Sequence, residues 1–166
     1  MRIATVLGLL VASAAVAAET WTGPPVLVTI AIRIMSALNT WTFRLTGGRL
    51  GGTFPGGAPV CLVTMTGRKS GQQRTVPLLY LRDGADLIIV ASKGGMSKHP
   101  LWYLNLEANP ACEVEIGRER RRMTARRVSP DEKVALWPRL CAMYPDYASY
   151  QARTARDIPV LRLTAA

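Results

Sequence analysis

The sequence predicts a mainly β (α+β) domain, a small closed barrel of five to six mostly antiparallel strands with flanking helices. Three observations carry this: short apolar, partly β-branched runs recur from Val60 to Leu163, turn residues separate them at hairpin spacing, and few helical patterns interrupt them. An apolar stretch precedes the barrel, dividing the chain into residues 1–46, an N-terminal extension, and residues 47–166, the domain.

In that extension, Met1-Arg2 and the segment Ile3 to Ala18, ending in Ala15-Val16-Ala17-Ala18, resemble a secretory signal peptide. The segment is short for a membrane span. After Pro24-Pro25, Leu27, Ile30, Ile34, Leu38, Trp41 and Leu45 recur at helical spacing beside a narrow polar stripe, Thr29, Arg33, Ser36, Thr40 and Arg44. Such a helix either packs into the core or lies on a bilayer, where Arg33, Arg44 and Trp41 suit an anionic interface. The expected location is the cytoplasmic face of a membrane, peripherally held or anchored by the N-terminus, in preference to secretion.

Gly47-Gly48-Arg49-Leu50-Gly51-Gly52 is read as a helix stop and connector, because Arg49 breaks the dinucleotide-binding spacing. Val60 to Val63 and Val76 to Leu81 then flank a basic turn, and Asp83-Gly84 signals a hairpin into the strand Leu87 to Ala91. The loop Ser92 to Pro100 leads into a helix from Leu101 to about Ala108, stopped by Asn109-Pro110. Strands near Cys112 to Ile116 and Arg120 to Val128 meet at Gly117. Ser129-Pro130-Asp131-Glu132 is a capping box opening a helix with Leu136, Trp137 and Leu140, and Val160 to Leu163 is the last strand. Between these two, Tyr144, Tyr147 and Tyr150 recur every third residue and share one face of a helical turn. They form either a patch packed on the barrel or a wall offering phenols to a ligand.

The chemistry concentrates in Thr66-Gly67-Arg68-Lys69-Ser70-Gly71-Gln72-Gln73-Arg74. A Gly-bracketed turn leaves backbone N–H groups to face an anion, with Arg68, Lys69 and Arg74 adding charge and Ser70 a hydroxyl. A solvated hairpin tip is the competing reading. No P-loop is present, since Leu62 stands where the Walker motif needs its first Gly. The net charge of +10 asks for an anionic partner, without choosing among nucleic acid, membrane and small molecule. In the Arg118 to Arg122 run with Arg126 and Arg127, no aromatics interleave, which disfavours nucleic-acid binding. Cys61, Cys112 and Cys141 lack metal spacing, His99 is the single histidine, and no nucleophile elbow appears. Neither metal catalysis nor a serine triad is expected.

Together, Gly67-Arg68-Lys69-Ser70-Gly71, Arg74 and Pro77, Ser92-Lys93-Gly94-Gly95, Pro100 to Asn105, Asn109-Pro110, Trp137-Pro138 and Tyr144-Pro145 to Tyr150 resemble the deazaflavin-dependent nitroreductase family, from about Gly47 to Leu163. The resemblance implies an FMN-binding-like split β-barrel that binds reduced coenzyme F-420, in preference to FMN, and passes a hydride to a quinone-like or nitroaromatic acceptor. It further implies that Arg68, Lys69, Ser70, Gly71 and Arg74 hold the phosphate and polyglutamate tail. Thr75, Val76, Pro77, Leu78 and Leu79 would run beside the cofactor. Val90, Ala91, Ser92 and Lys93 would frame the deazaflavin ring with Leu101, Trp102, Tyr103, Leu104 and Asn105. Tyr147, also touching the cofactor, would cover the acceptor with Tyr144 and Tyr150. Ser92 and one tyrosine are the expected catalytic groups, orienting the acceptor or donating a proton. One departure stands out: the nitro-drug-reducing branch has an aromatic where this chain has Leu79, the aromatic here being shifted to Tyr80, which argues against bicyclic nitro-drugs as substrates. The alternatives are a non-catalytic flavin- or ligand-binding split barrel and a basic nucleic-acid-binding module.

Overall fold

The computed structural model describes Leu38 and residues 40–166; the signal-like segment and most of the predicted amphipathic helix lie outside them. Six strands close a barrel: β1 (Val60–Thr66), β2 (Gln73–Asp83), β3 (Asp86–Val90), β4 (Ala111–Ile116), β5 (Glu119–Arg127) and β6 (Val160–Ala165). Their order around it is β1-β2-β3-β6-β5-β4 and every pairing is antiparallel. The helices are α1 (residues 40–46), α2 (Leu101–Ala108), α3 (Pro130–Met143) and α4 (Asp146–Ala152).

Side-chain alternation builds two cores. Along β3, Leu87 and Ile89 point into the barrel with Cys61, Val63, Met65 and Leu163, whereas Ile88 and Val90 point outward into a second core with Leu136, Leu140, Tyr147 and Ile158. The second core is the cushion on which α3 and α4 sit. β3 is therefore buried on both faces from Leu87 to Val90, which is why that run is uninterruptedly apolar after Asp86.

β2 is longer than its partner. Only Tyr80 to Asp83 pair with β3, so the half from Gln73 to Leu79 is laddered to β1 alone. Pro77, which has no N–H to give, falls in that half.

The helix ends follow the sequence with one correction. Ser129 Oγ accepts the Glu132 N–H at 3.2 Å, as a cap should. The Glu132 carboxylate does not return to close the predicted box; it takes Arg126 at 2.8 and 3.1 Å and Arg162 at 2.6 Å. Charge-assisted bonds to two guanidiniums outcompete one backbone N–H.

In α1 and at Leu38 just before it, the apolar face expected either to pack into the core or to lie on a bilayer is exposed. Leu38, Trp41 and Leu45, the predicted apolar face, are 56%, 63% and 62% exposed, and Phe43, outside both stripes, is fully buried. A Schellman pair ends the helix, with Gly48 N–H on Phe43 O at 2.8 Å and Gly47 N–H, at φ +60°, on Arg44 O at 3.4 Å. Arg44 Nε donates to both Glu115 oxygens at 3.0 and 3.1 Å. These contacts dock residues 40–46 onto the barrel.

The arginine run of β5 is largely engaged. Arg120 pairs with Glu113 and Glu115, Arg121 with Glu119, Arg126 with Glu132 and Arg127 with Asp157. Four arginines of the run are thus ion-paired with neighbouring strands and loops.

Candidate functional site

The half of β2 without a β3 partner borders a cavity of 1020 Å³. Its rim is the turn Gly67-Arg68-Lys69-Ser70 with Gln73 and Arg74, one wall is Thr75, Val76, Leu101, Trp102 and Asn105, and the opposite wall is Thr40, Trp41 and Arg44 from α1. Among the described residues, four cationic side chains line it and no carboxylate does. Such a cavity concentrates positive potential at one end and offers indole and aliphatic surface at the other.

The turn is held by its own backbone. Gly67 N–H reaches Gln72 O and Gly71 N–H reaches Gly67 O, both at 2.8 Å. A Cβ on Gly67 would lie 3.0 Å from Ser70 Oγ and 3.1 Å from Gln72 O, so a larger residue would press the turn open. From outside the turn, Asn105 Oδ1 accepts the Arg68 N–H at 3.2 Å, fastening it to α2. Arg74 Nη2 donates to Gln72 Oε1 at 2.8 Å. Among the described residues, neither Arg68 nor Lys69 has a carboxylate partner.

Of the residues the resemblance implies, Arg68, Lys69, Ser70, Arg74, Thr75, Val76, Leu101, Trp102 and Asn105 share this cavity. Leu78 and Leu104 pack against the barrel core, and Tyr103, 2% exposed, donates to Glu107 Oε1 at 2.7 Å. Val90 and Ala91 are buried in the second and first cores respectively. Gly71 and Pro77 adjoin the cavity in sequence but do not line it. Thr40, Trp41, Arg44 and Gln73 line it without having been expected to. The signal for Trp41 and Arg44 was visible as an aromatic and a cation on one helix, but a single sequence does not show against what that helix docks.

A second group assembles elsewhere. Tyr144, Tyr147 and Tyr150 cluster: the Tyr144 and Tyr147 rings are 5.0 Å apart edge to face, and the Tyr144 and Tyr150 hydroxyls are 3.2 Å apart. Tyr147 is 3% exposed and belongs to the second core, while Tyr144 and Tyr150 are half-buried. Burial, then the neighbouring Tyr150 hydroxyl, drives the Tyr144 phenol well above its usual pKa, and burial alone does most of the same for Tyr147. Both phenols stay protonated across the physiological range. Leu79 packs against the second core, to which Tyr147 belongs, whereas Tyr80, one residue on, points into the barrel. Tyr80 therefore cannot supply on the tyrosine side the ring that Leu79 lacks.

α4 also holds the loop that carries Ser92 and Lys93. A Cβ on Gly95, at φ +78°, would sit 2.6 Å from Tyr150 O, so only glycine permits this approach. The loop then continues into α2, bringing Leu101 and Trp102 to the cavity.

The model of the family described as F420H(2)-dependent quinone reductase matches residues 35–165. An F420H(2)-dependent quinone reductase of Mycobacterium tuberculosis is 44% identical over 125 residues, 74% of this chain and 84% of that protein. A solved structure of an F420-H2 dependent reductase is 42% identical, with a TM-score of 0.60, covering 64% of this chain and 94% of its own. A second solved structure, described as a domain-swapped dimer, is 38% identical with a TM-score of 0.62, covering 77% of this chain and 97% of its own. Their likeness extends to the barrel, which is the split-barrel fold expected.

Proposed function

The chain belongs to the F420H(2)-dependent quinone reductase family, and from that premise we propose where this molecule holds its cofactor and its acceptor. The enzyme is an oxidoreductase that transfers a hydride from reduced coenzyme F-420 to a quinone. The reading of the site is carried by the cavity beside β2, whose rim, cationic and without a carboxylate among the described residues, runs into an apolar wall.

The donor set fits the cofactor. Arg68, Lys69 and Arg74, with the Ser70 hydroxyl, suit a phosphate and a polyglutamate tail, at roughly 1.5 to 3 kcal/mol per charge-assisted bond. Trp102, Leu101 and Val76 suit the flat ring, and Trp41 closes over it from α1. Bound there, the deazaflavin supplies the hydride. The protein binds it, excludes water with the two indoles and fixes its face toward the acceptor.

On the acceptor side, the tyrosines answer the charge that develops on a quinone oxygen. Tyr144 and Tyr150 are half-buried and share a hydrogen bond, so one phenol can donate to the substrate while the other supports it. Tyr147, enclosed in the second core, acts by holding the Tyr144 ring. Ser92 remains the further candidate to orient the acceptor. Nitroaromatics are a secondary acceptor class. Leu79, packed on the second core that also holds Tyr147, gives them no ring to stack on, so flat quinones are favoured.

Attachment to the cytoplasmic face of a membrane is supported by α1, whose exposed stripe Leu38, Trp41 and Leu45 adjoins the cavity through Trp41. No helix among the described residues is long and apolar enough to cross a membrane. A lipid-soluble quinone would then reach the site from the bilayer.

The site assignment is tested by following oxidation of reduced F-420 with menadione as acceptor in Tyr144→Phe and Tyr150→Phe. Each should lower kcat by about 10-fold or more with the cofactor Kd unchanged. Unaltered kcat in the double variant would remove the tyrosines from the reaction.

A further inference from the structure

Arg156 lies between α4 and β6, outside the cavity lining, and its guanidinium gathers one loop. Nη2 donates to Ser92 O at 2.6 Å and Ala91 O at 3.3 Å, Nε donates to Met96 O at 2.7 Å, and Nη1 lies 3.3 Å from His99 Nδ1. Three carbonyls and an imidazole spread over nine residues of chain thus converge on a single side chain. Arg156 is itself braced, since Gln151 Nε2 donates to Arg156 O at 2.9 Å and Gln151 Oε1 accepts the Ile158 N–H at 2.9 Å.

The loop so gathered has an unusual backbone. Lys93, at φ +48°, is the one non-glycine residue with positive φ among the described residues, and it sits between the two carbonyls that take the shortest Arg156 bonds, Ser92 and Met96. A left-handed lysine persists only where its surroundings over-determine it, and such residues concentrate at ligand clamps and active sites. The side chain does not reward the conformation, since Lys93 is exposed and is not glycine, asparagine or aspartate; locally it is met by two turn bonds, Gly95 N–H to Ser92 O at 3.1 Å and Met96 N–H to Lys93 O at 3.2 Å. Arg156 and the close packing of Gly95 on Tyr150 supply the over-determination.

We propose that Arg156 is a positioning residue for the reductase reaction, holding the Ala91–His99 loop so that α2 begins where Leu101 and Trp102 can wall the cavity and so that Ser92 and Lys93, which do not line the cavity themselves, are held at the place where the family resemblance has them meet the cofactor. This rests on the reading that coenzyme F-420 binds here. Guanidinium is the group suited to the task, because its fan of donors spans several carbonyls that one ammonium cannot.

The test uses the full chain and four proteins: wild type, Arg156→Gln, Arg156→Lys and Lys93→Ala. Each is titrated with oxidised coenzyme F-420 by fluorescence, assayed with reduced F-420 and menadione, and melted by circular dichroism. Arg156→Gln should raise the cofactor Kd and KM about 10-fold, with kcat falling less, while the protein remains folded at the assay temperature. Arg156→Lys should recover only a minor part of that affinity. Lys93→Ala should weaken binding as well. If Lys93→Ala binds F-420 as wild type does, the premise that this turn touches the cofactor falls and the proposal falls with it. If Lys93→Ala weakens binding and Arg156→Gln, still folded, binds within about 2-fold of wild type, Arg156 has a structural role only, and positioning alone is overturned. Should Arg156→Gln fail to fold, Arg156→Lys decides on the same threshold.

Discussion

Glu115 is the fully buried charged residue of the described chain, at 4% exposure, and it faces two guanidiniums. Arg44 Nε reaches its oxygens at 3.0 and 3.1 Å, the Arg44 Nη2 contact is closer still, and Arg120 Nη2 stands at 3.3 Å. Glu115→Gln preserves the shape, removes the charge and turns an NH2 group toward one of the cations. Breaking a fully buried pair costs about 3 to 5 kcal/mol. Here the stranded side chains, Arg44 and Arg120, are 42% and 58% exposed, so water recovers much of that. What remains is one or two charge-assisted bonds, about 2 kcal/mol. For a chain of this size that lowers Tm by about 4 to 8 °C. Arg44→Gln should cost at least as much, since it leaves the buried carboxylate with Arg120 alone. The double variant should cost less than the sum of the two singles. Because α1 forms a wall of the cavity, Glu115→Gln should also weaken F-420 binding, although Glu115 does not line the cavity. Thermal melts by circular dichroism with a parallel cofactor titration read both effects. A Tm within about 1 °C of wild type would refute the claim that this pair docks α1.

Other outcomes follow from the same structure. Lys69→Ala should weaken F-420 binding by about 10-fold, the loss of roughly 1.4 kcal/mol, and should flatten its salt dependence, read by the same titration. Acid should destabilise the fold through Asp83 and Glu132. Hydrogen bonds from Arg139 and then Arg162 hold the Asp83 carboxyl below its ordinary value, and those from Arg126 and Arg162 do the same for Glu132. Groups so depressed contribute stability that is complete above the unfolded value, about pH 4, and lost as pH falls through the folded one. Melts from pH 6 downward should show Asp83→Asn losing less Tm with acid than wild type. Burial pushes the Cys61 thiol up to about 12 and Cys112 to about 11. Iodoacetamide at pH 8 should therefore label Cys141, half-buried, well before either, as mass spectrometry of the native protein would show.

Much of the barrel was legible because its strands obey period two and its turns carry their own signals. Asp83-Gly84 and Gly117 mark the hairpins, Asn109-Pro110 ends α2, and Pro130 opens α3 where the sequence places it. The strand ends were less so: β1 runs to Thr66 and β2 starts at Gln73, because ladder pairing carries polar residues that alternation alone would leave in the turn. Half of the cavity was legible too, since a basic Gly-bracketed turn is a local pattern. The other half was hidden by tertiary choice. Nothing in the order Leu38, Trp41, Phe43, Leu45 says that the single Phe is buried while the three at helical spacing are exposed. The clamp by Arg156 was equally hidden, for it joins residues 57 to 65 positions apart. Glu132 shows the reverse failure, where a correct local motif yields to arginines that folding brings in.

The central claim is that the cavity beside β2 binds coenzyme F-420. Fluorescence titration of the purified protein with oxidised F-420, run beside FMN at low and high salt, tests it most directly. Saturable F-420 binding that weakens with salt is expected, with no saturation by FMN over the same range. A folded protein that fails to bind F-420, or that binds FMN more tightly, would contradict it.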